Sequence, residues 1–459
     1  MEQITKPHCG ARLDRLPDCR WHSSMFAIVA FGLLVCWSNA VGGLILAQLK
    51  ALGWTDNSTT ATFSAITTAG MFLGALVGGI IGDKTGRRNA FILYEAIHIA
   101  SMVVGAFSPN MDFLIACRFV MGVGLGALLV TLFAGFTEYM PGRNRGTWSS
   151  RVSFIGNWSY PLCSLIAMGL TPLISAEWNW RVQLLIPAIL SLIATALAWR
   201  YFPESPRWLE SRGRYQEAEK VMRSIEEGVI RQTGKPLPPV VIADDGKAPQ
   251  AVPYSALLTG VLLKRVILGS CVLIAMNVVQ YTLINWLPTI FMTQRINLKD
   301  SIVLNTMSMF GAPFGIFIAM LVMDKIPRKT MGVGLLILIA VLGYIYSLQT
   351  SMLLITLIGF FLITFVYMYV CYASAVYVPE IWPTEAKLRG SGLANAVGRI
   401  SGIAAPYAVA VLLSSYGVTG VFILLGAVSI VVAIAIATIG IETKGVSVES
   451  LSIDAVANK

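Results

Sequence analysis

Gly82-Asp83-Lys84-Thr85-Gly86-Arg87-Arg88 is a charged heptapeptide set between two apolar runs, residues 61–82 and 89–107. Each run can cross about 30 Å of hydrocarbon as a helix, so the charges between them belong at a membrane surface. Basic residues in a short connection mark the cytoplasmic side. Gly70, Gly74, Gly78 and Gly82 recur every four residues on the run entering the loop, and a helix face without side chains lets a neighbouring helix approach closely. Asp83 is then expected near the positive N-terminal end of an adjacent helix. A degraded copy, Asp324-Lys325-Ile326-Pro327-Arg328-Lys329, stands 241 positions later between two further apolar runs.

Outward from this loop, six apolar runs fall near 25–48, 61–82, 89–107, 111–134, 147–173 and 182–202, and six more near 266–291, 301–322, 330–348, 351–377, 390–413 and 418–440. The expected fold is an all-α integral membrane protein with twelve transmembrane helices in two pseudo-symmetric six-helix halves. Two further pairs mark the duplication. Glu138 with Arg145 after the fourth run matches Glu380 with Arg389 after the tenth, and Glu204 after the sixth matches Glu442 after the twelfth. The organisation expected is a cytoplasmic N-terminal tail (1–24), a first half (25–202), a cytoplasmic linker rich in proline and charge (203–265), a second half (266–440) and a cytoplasmic C-terminal tail (441–459).

Composition agrees. Of 459 residues, 56% are hydrophobic and 13% charged, with mean hydropathy +0.71, which excludes a soluble domain. A net charge of +10 raises the question of nucleic acid, but 28 of the 34 Lys and Arg fall on the side assigned to the cytoplasm. The basic excess therefore faces anionic lipid head groups, with no nucleic-acid partner. Both termini are expected in the cytoplasm of a multi-pass plasma membrane protein, the inner membrane in a Gram-negative cell. The seven cysteines form no CxxC and imply neither a disulfide framework nor a metal site. The first apolar run lacks an A-x-A exit and reads as a retained span. Asn57-Ser58-Thr59 reads as a polar turn rather than a glycosylation sequon.

The heptapeptide between the second and third spans resembles the signature loop of the major facilitator superfamily, with its second copy where that family places one. Pro203-Glu204-Ser205-Pro206-Arg207-Trp208-Leu209 and Glu442-Thr443-Lys444-Gly445 resemble the motifs of the sugar-porter branch after spans six and twelve, with Ile441 in place of a proline. The resemblance implies a cytoplasmic charge network of Asp83, Arg87, Glu138, Arg145, Asp324, Arg328, Glu380 and Arg389. This network holds the inside closed while the outside is open, and breaks on inward opening.

Polar groups within spans are the remaining candidates. Arg118 opens a run, through Gly122, Gly124 and Gly126, similar to the family's R-x-x-x-G-x-G-x-G, where the arginine is linked to proton coupling; the competing reading is an Arg bonded to carbonyls. Glu95 on span three is the one carboxylate placed well inside a span and a candidate proton acceptor, unless it pairs with a neighbouring cation or faces the interface. His98 reads as a packed core residue. Related proton-coupled porters carry an aspartate in span one, where this chain has Ser38 and Asn39, so a facilitator is the alternative. Span seven ends in Tyr281 and Trp286-Leu287-Pro288, more like organic-acid and organic-ion branches, and span eleven resembles aromatic-acid porters through Arg389 to Pro406. Arg399 there can hold a carboxylate bidentately. Asn157, Gln280, Asn285, Tyr367, Tyr372 and Asn395 can bind hydroxyl groups or bond helix to helix, and the tyrosines and Trp286 can stack on a ring or anchor at the interface.

The function expected is secondary transport of a small polar metabolite (a sugar, sugar acid or related organic acid) by alternating access and proton symport, by a monomer with no cofactor and no metal, and with a proton gradient as energy source. Rival readings are a facilitator of the same substrates, a drug/proton antiporter, whose Gly/Pro-rich fifth span is missing here, and a nutrient sensor, whose long cytoplasmic extensions are also missing. No nucleophile and base stand out for an enzyme.

Overall fold

A chain in hydrocarbon must satisfy its backbone polar groups within each crossing segment, and the sequence does so with helices. The computed structural model describes residues 7–17, 19–140, 145–240, 253–323, 325–382 and 386–444, and every regular element among them is helical. Nine stretches are long and apolar enough to span a membrane. Asn57–Thr85, Arg87–Ala106 and Met111–Leu132 are spans two to four, and Ala176–Tyr201 is span six. Gly260–Thr293, Leu298–Val322, Arg328–Ser347 and Met352–Glu380 are spans seven to ten. The last stretch, Arg389–Ile439, is two spans joined at Gly417, whose φ of 64° and ψ of −158° turn the chain in a backbone region open to glycine.

The two remaining crossings are broken helices. Span one is Arg20–Val35 followed by Gly42–Ala51, interrupted where Ser38 and Asn39 offer the backbone local alternatives to helical bonds. Span five is Arg145–Asn157 followed by Ser159–Leu170. Among the described residues the total is the twelve crossings expected. Span ten contains a π-helical turn, Tyr372–Tyr377.

The described residues pack as two units. The first comprises Met1–Ser38, Gly70–Ser159 and Leu184–Gly246, and the second Asn39–Ala69, Tyr160–Gln183 and Lys247–Lys459. In the first, the glycine ladder does what its spacing suggests: a Cβ at Gly74 would collide with the Val123 carbonyl, so spans two and four touch backbone to backbone. In the second, Gly315 meets the Thr364 carbonyl in the same way, between spans eight and ten.

Residues 203–240 of the linker pack in the first unit. Ser205 caps the helix Pro206–Ser211 by accepting from the Trp208 N–H. The helix Tyr215–Thr233 carries Ala218, Met222, Ile225 and Val229 on one face, and these form a core with Cys9, Leu13 and Leu16 of the N-terminal tail and with Trp208 and Leu209. Around it, Arg12 pairs with Glu219 and with Glu226 at 2.7 Å, Arg15 with Glu226 at 2.6 Å and Arg207 with Asp14 at 2.9 Å. Burial alone would push the Glu226 carboxyl up, but its bonds to Arg12 and Arg15 outweigh that and hold it below the usual range; Glu219, bonded to Arg12 and Arg223, behaves likewise.

A folded-state pKa below the unfolded value contributes stability that is present above the unfolded value, near 4.5, and is lost as pH falls through the folded one. The tail is therefore expected to stay docked at neutral pH and to loosen in acid. Cys9 reports this. Burial, aided by Glu210, pushes its thiol up to about 12, so it is inert while docked. In a variant with Cys9 as its single cysteine, 4,4′-dithiodipyridine should react slowly near neutrality and quickly below about pH 4.

Candidate functional site

The signature loop and its copy build matching clusters. Arg87 Nε donates to Glu138 at 2.8 Å and its Nη1 to Asp83 at 2.7 Å. Glu204 accepts from the backbone N–H groups of Arg87 and Arg88 at 2.7 and 3.2 Å. In the second half, Arg328 donates to both oxygens of Glu380 at 3.1 Å, and Glu442 accepts from the N–H groups of Arg328 and Lys329 at 2.7 and 3.1 Å. Tyr139 donates to the Pro203 carbonyl and Tyr377 to that of Ile441, each just before the capping glutamate.

The carboxylate at the N-terminus of span three is thus that of Glu204, where the sequence pointed to Asp83. Asp83 is largely exposed beside Arg87, and its carbonyl takes the Trp208 indole N–H at 2.7 Å. Arg389 lies over the Tyr254 ring at 5.3 Å. Asp324 and the side chain of Arg145 lie outside the described residues. Burial would push Glu442 up, but the N–H groups of Arg328, Lys329 and Lys444 hold it below the usual carboxylate range. Glu204→Ala and Glu442→Ala are each expected to remove a helix cap, at a cost of about 1–2 kcal/mol. Thermal unfolding in detergent checks this, and Gln, which keeps an acceptor, should recover part of the loss.

A second group is buried in the first unit. Glu95 and His98 on span three are both fully inaccessible, with His98 Nδ1 3.5 Å from Glu95 Oε2. His98 Nε2 lies 2.7 Å from the Ser38 hydroxyl in the break of span one. Arg118, from span four, donates to the Ser38 carbonyl at 2.7 Å, satisfying a backbone group that the break releases. The glycines that follow Arg118 allow this packing. A Cβ at Gly124 would lie 3.0 Å from the His98 nitrogen, and one at Gly126 would strike the Met71 carbonyl.

A third group lies in the second unit. Tyr367 of span ten meets Tyr160 of span five edge to face, ring centroids 5.4 Å apart, with Gln280 and Tyr281 of span seven beside them. Gly402 of span eleven packs on Tyr281 and on Thr68 of span two. One turn away on span eleven is Arg399, whose Nη1 is buried and finds no hydrogen-bond partner among the described residues. Tyr160 and Tyr281 were not singled out as site residues in the sequence; only their partners in space mark them.

The other site residues from the sequence lie elsewhere. Tyr372 stacks on Tyr377 at 5.0 Å, against Gly332 of span nine. Asn157 and Asn395 turn their amides back to the carbonyls of Ser153 and Ser391. Asn285 and Trp286 are buried in span seven, where Gly43 of span one is pressed against the Ile284 and Asn285 carbonyls. In the same unit Asn305 donates to Ser164 at 3.1 Å, and Gln183 to Asn179 at 2.8 Å.

Among proteins of known family, the sugar (and other) transporter model matches residues 24–455. The chain belongs to that family. It is 44% identical over 455 residues to the inner membrane metabolite transport protein YdjE of Escherichia coli K12, covering 98% of this chain and 99% of that protein. It is 25% identical to the niacin transporter NiaP of Acinetobacter baylyi, covering 96% and 99%. A crystal structure of a D-xylose-proton symporter superposes with TM-score 0.71 at 17% identity, covering 92% and 99%, which shows the fold. The protein is a multi-pass membrane transporter of the major facilitator type for small metabolites, and not an enzyme.

Proposed function

We propose that this transporter carries a small organic acid or sugar acid by alternating access with proton symport, in the plasma membrane and, in a Gram-negative cell, the inner membrane. The signature loops and both termini face the cytoplasm, next to anionic lipid. The observation that carries the reading is the buried Arg399 Nη1, without an acceptor among the described residues, one turn along span eleven from Gly402, which packs on Tyr281 of the Tyr160, Gln280 and Tyr367 group. A buried guanidinium nitrogen left unpaired is costly, and a substrate carboxylate would satisfy it. Niacin, named for a relative, is such an acid, with an aromatic ring that the tyrosines could flank.

The clusters around Arg87 and Arg328 serve as the latch, with Asp83, Glu138, Arg145, Asp324, Glu380 and Arg389. Glu95 and Arg118 couple transport to protons, and the unit of function is the monomer. Asn157, Asn285, Trp286, Tyr372 and Asn395 are further candidate substrate contacts. A second reading, neutral-sugar transport, is favoured by the sugar-porter motif at 203–209. Uptake by proteoliposomes of labelled nicotinate, gluconate and D-xylose, with and without an imposed pH gradient, separates the two. Saturable acid uptake supports the proposal, and D-xylose uptake alone overturns it.

A further inference from the structure

The Glu95, His98 and Ser38 contacts do more than pack a core. Glu95 and His98 sit about 12 and 16 Å along span three from Arg87 at 1.5 Å per residue, well inside hydrocarbon, where an ionisable pair is costly. Neither carboxylate oxygen of Glu95 has a hydrogen bond among the described residues, and the His98 imidazole Nδ1 lies 3.5 Å from Oε2. The far side of that imidazole touches a hydroxyl on a different span, at the point where that span stops being a helix.

The groups facing the pair are few. Cys36, also in the break, is within electrostatic reach of Glu95. Arg118 holds the Ser38 carbonyl from span four. Tyr94, on span three itself, is turned away to the Gly78 carbonyl of span two. Spans two and six carry ionisable groups only toward their ends: Asp83 and Lys84 on one, and Glu177, Arg181, Arg200 and Tyr201 on the other.

We propose that Glu95 and His98 jointly hold the transported proton, and that the Ser38 hydroxyl reports its presence to the break in span one. The proposal rests on the proton-coupled reading above and adds to it a positioning residue and a carrier that the sequence read as core. Without the proton the pair bears one negative charge; with it the pair is neutral. Nothing is oxidised or reduced, since a proton enters from one side and leaves to the other. When the imidazole is neutral with its proton on Nδ1, Nε2 accepts from Ser38. When the imidazole carries both protons, Nε2 donates, so the Ser38 hydroxyl must turn and give its own proton to another acceptor. The bond between spans one and three therefore reverses polarity with loading. Both side chains are sealed from solvent here, so the proton is exchanged only when packing at the break opens.

The test has two arms. In infrared difference spectra between acidic and alkaline buffer, the purified protein should show a shift of carboxylate stretching bands, as the neighbouring imidazole gains its proton, that is absent in Glu95→Gln and altered in His98→Gln. In proteoliposomes with nicotinate and D-xylose as probes, His98→Gln and Ser38→Ala should keep counterflow of whichever probe the wild type carries but lose gradient-driven accumulation, and Ser38→Thr should restore it. A spectrum without the Glu95-dependent shift, or His98→Gln accumulating as wild type does, overturns the proposal. Wild-type counterflow without accumulation also overturns it, while leaving transport intact. If neither probe shows counterflow, the substrate reading fails separately and the infrared arm decides alone. Counterflow in each variant also establishes that it is folded.

Discussion

Arg399→Gln is expected to weaken organic-acid transport about 10- to 100-fold, seen chiefly as a raised half-saturation concentration. The magnitude follows from the about 1.5–3 kcal/mol of a hydrogen bond to a charged partner. The guanidinium nitrogen in question is buried and unpaired among the described residues, so a substrate carboxylate there would gain a charged bond with little competition from water. Arg399→Lys should recover part of the loss, because an ammonium supplies charge without the planar fork. Uptake of a neutral sugar should change by less than about threefold. Equal loss for acid and sugar would mean that Arg399 supports the helix rather than the substrate, and unchanged acid uptake would remove it from the site.

Gly43→Leu is expected to abolish net uptake while leaving the protein folded. In this structure the backbones of span one and span seven touch at Gly43, where a Cβ would collide with the Ile284 carbonyl and approach the Asn285 carbonyl at 2.9 Å. In the alternating-access reading proposed above, this contact parts and re-forms. A leucine therefore leaves the parted state alone and penalises the closed one by about 1–3 kcal/mol or more, a population shift of about 5- to 150-fold. A cysteine at Asn285, at the contact, in a background without other reactive thiols, should be labelled faster in Gly43→Leu than in its parent. Slow labelling together with full uptake would show that the contact does not move in the cycle.

Much of the fold was legible because hydrocarbon imposes simple rules. Twelve apolar runs, the glycine ladder at positions 70 to 82 and the two signature loops follow from the length of a crossing, the absence of side chains at a helix contact and the placement of charge at a surface. The repeated glutamates were visible as a pair, but their task was not. That Glu204 and Glu442 each cap a helix in the other's image depends on where the chain returns after six crossings.

The sequence by itself determined which segments cross the membrane, where charge gathers and that the chain repeats, since these depend on local length, polarity and periodicity. Only the tertiary structure decided which polar residues meet. Ser38 and His98 are 60 positions apart and Tyr160 and Tyr367 more than 200, and the contacts between them arise from helix rotation and from the break in span one. The direction of a side chain around a buried helix leaves almost no trace in composition when every face is apolar, so His98 read as core and Tyr160 passed unnoticed until the neighbouring helices were in place.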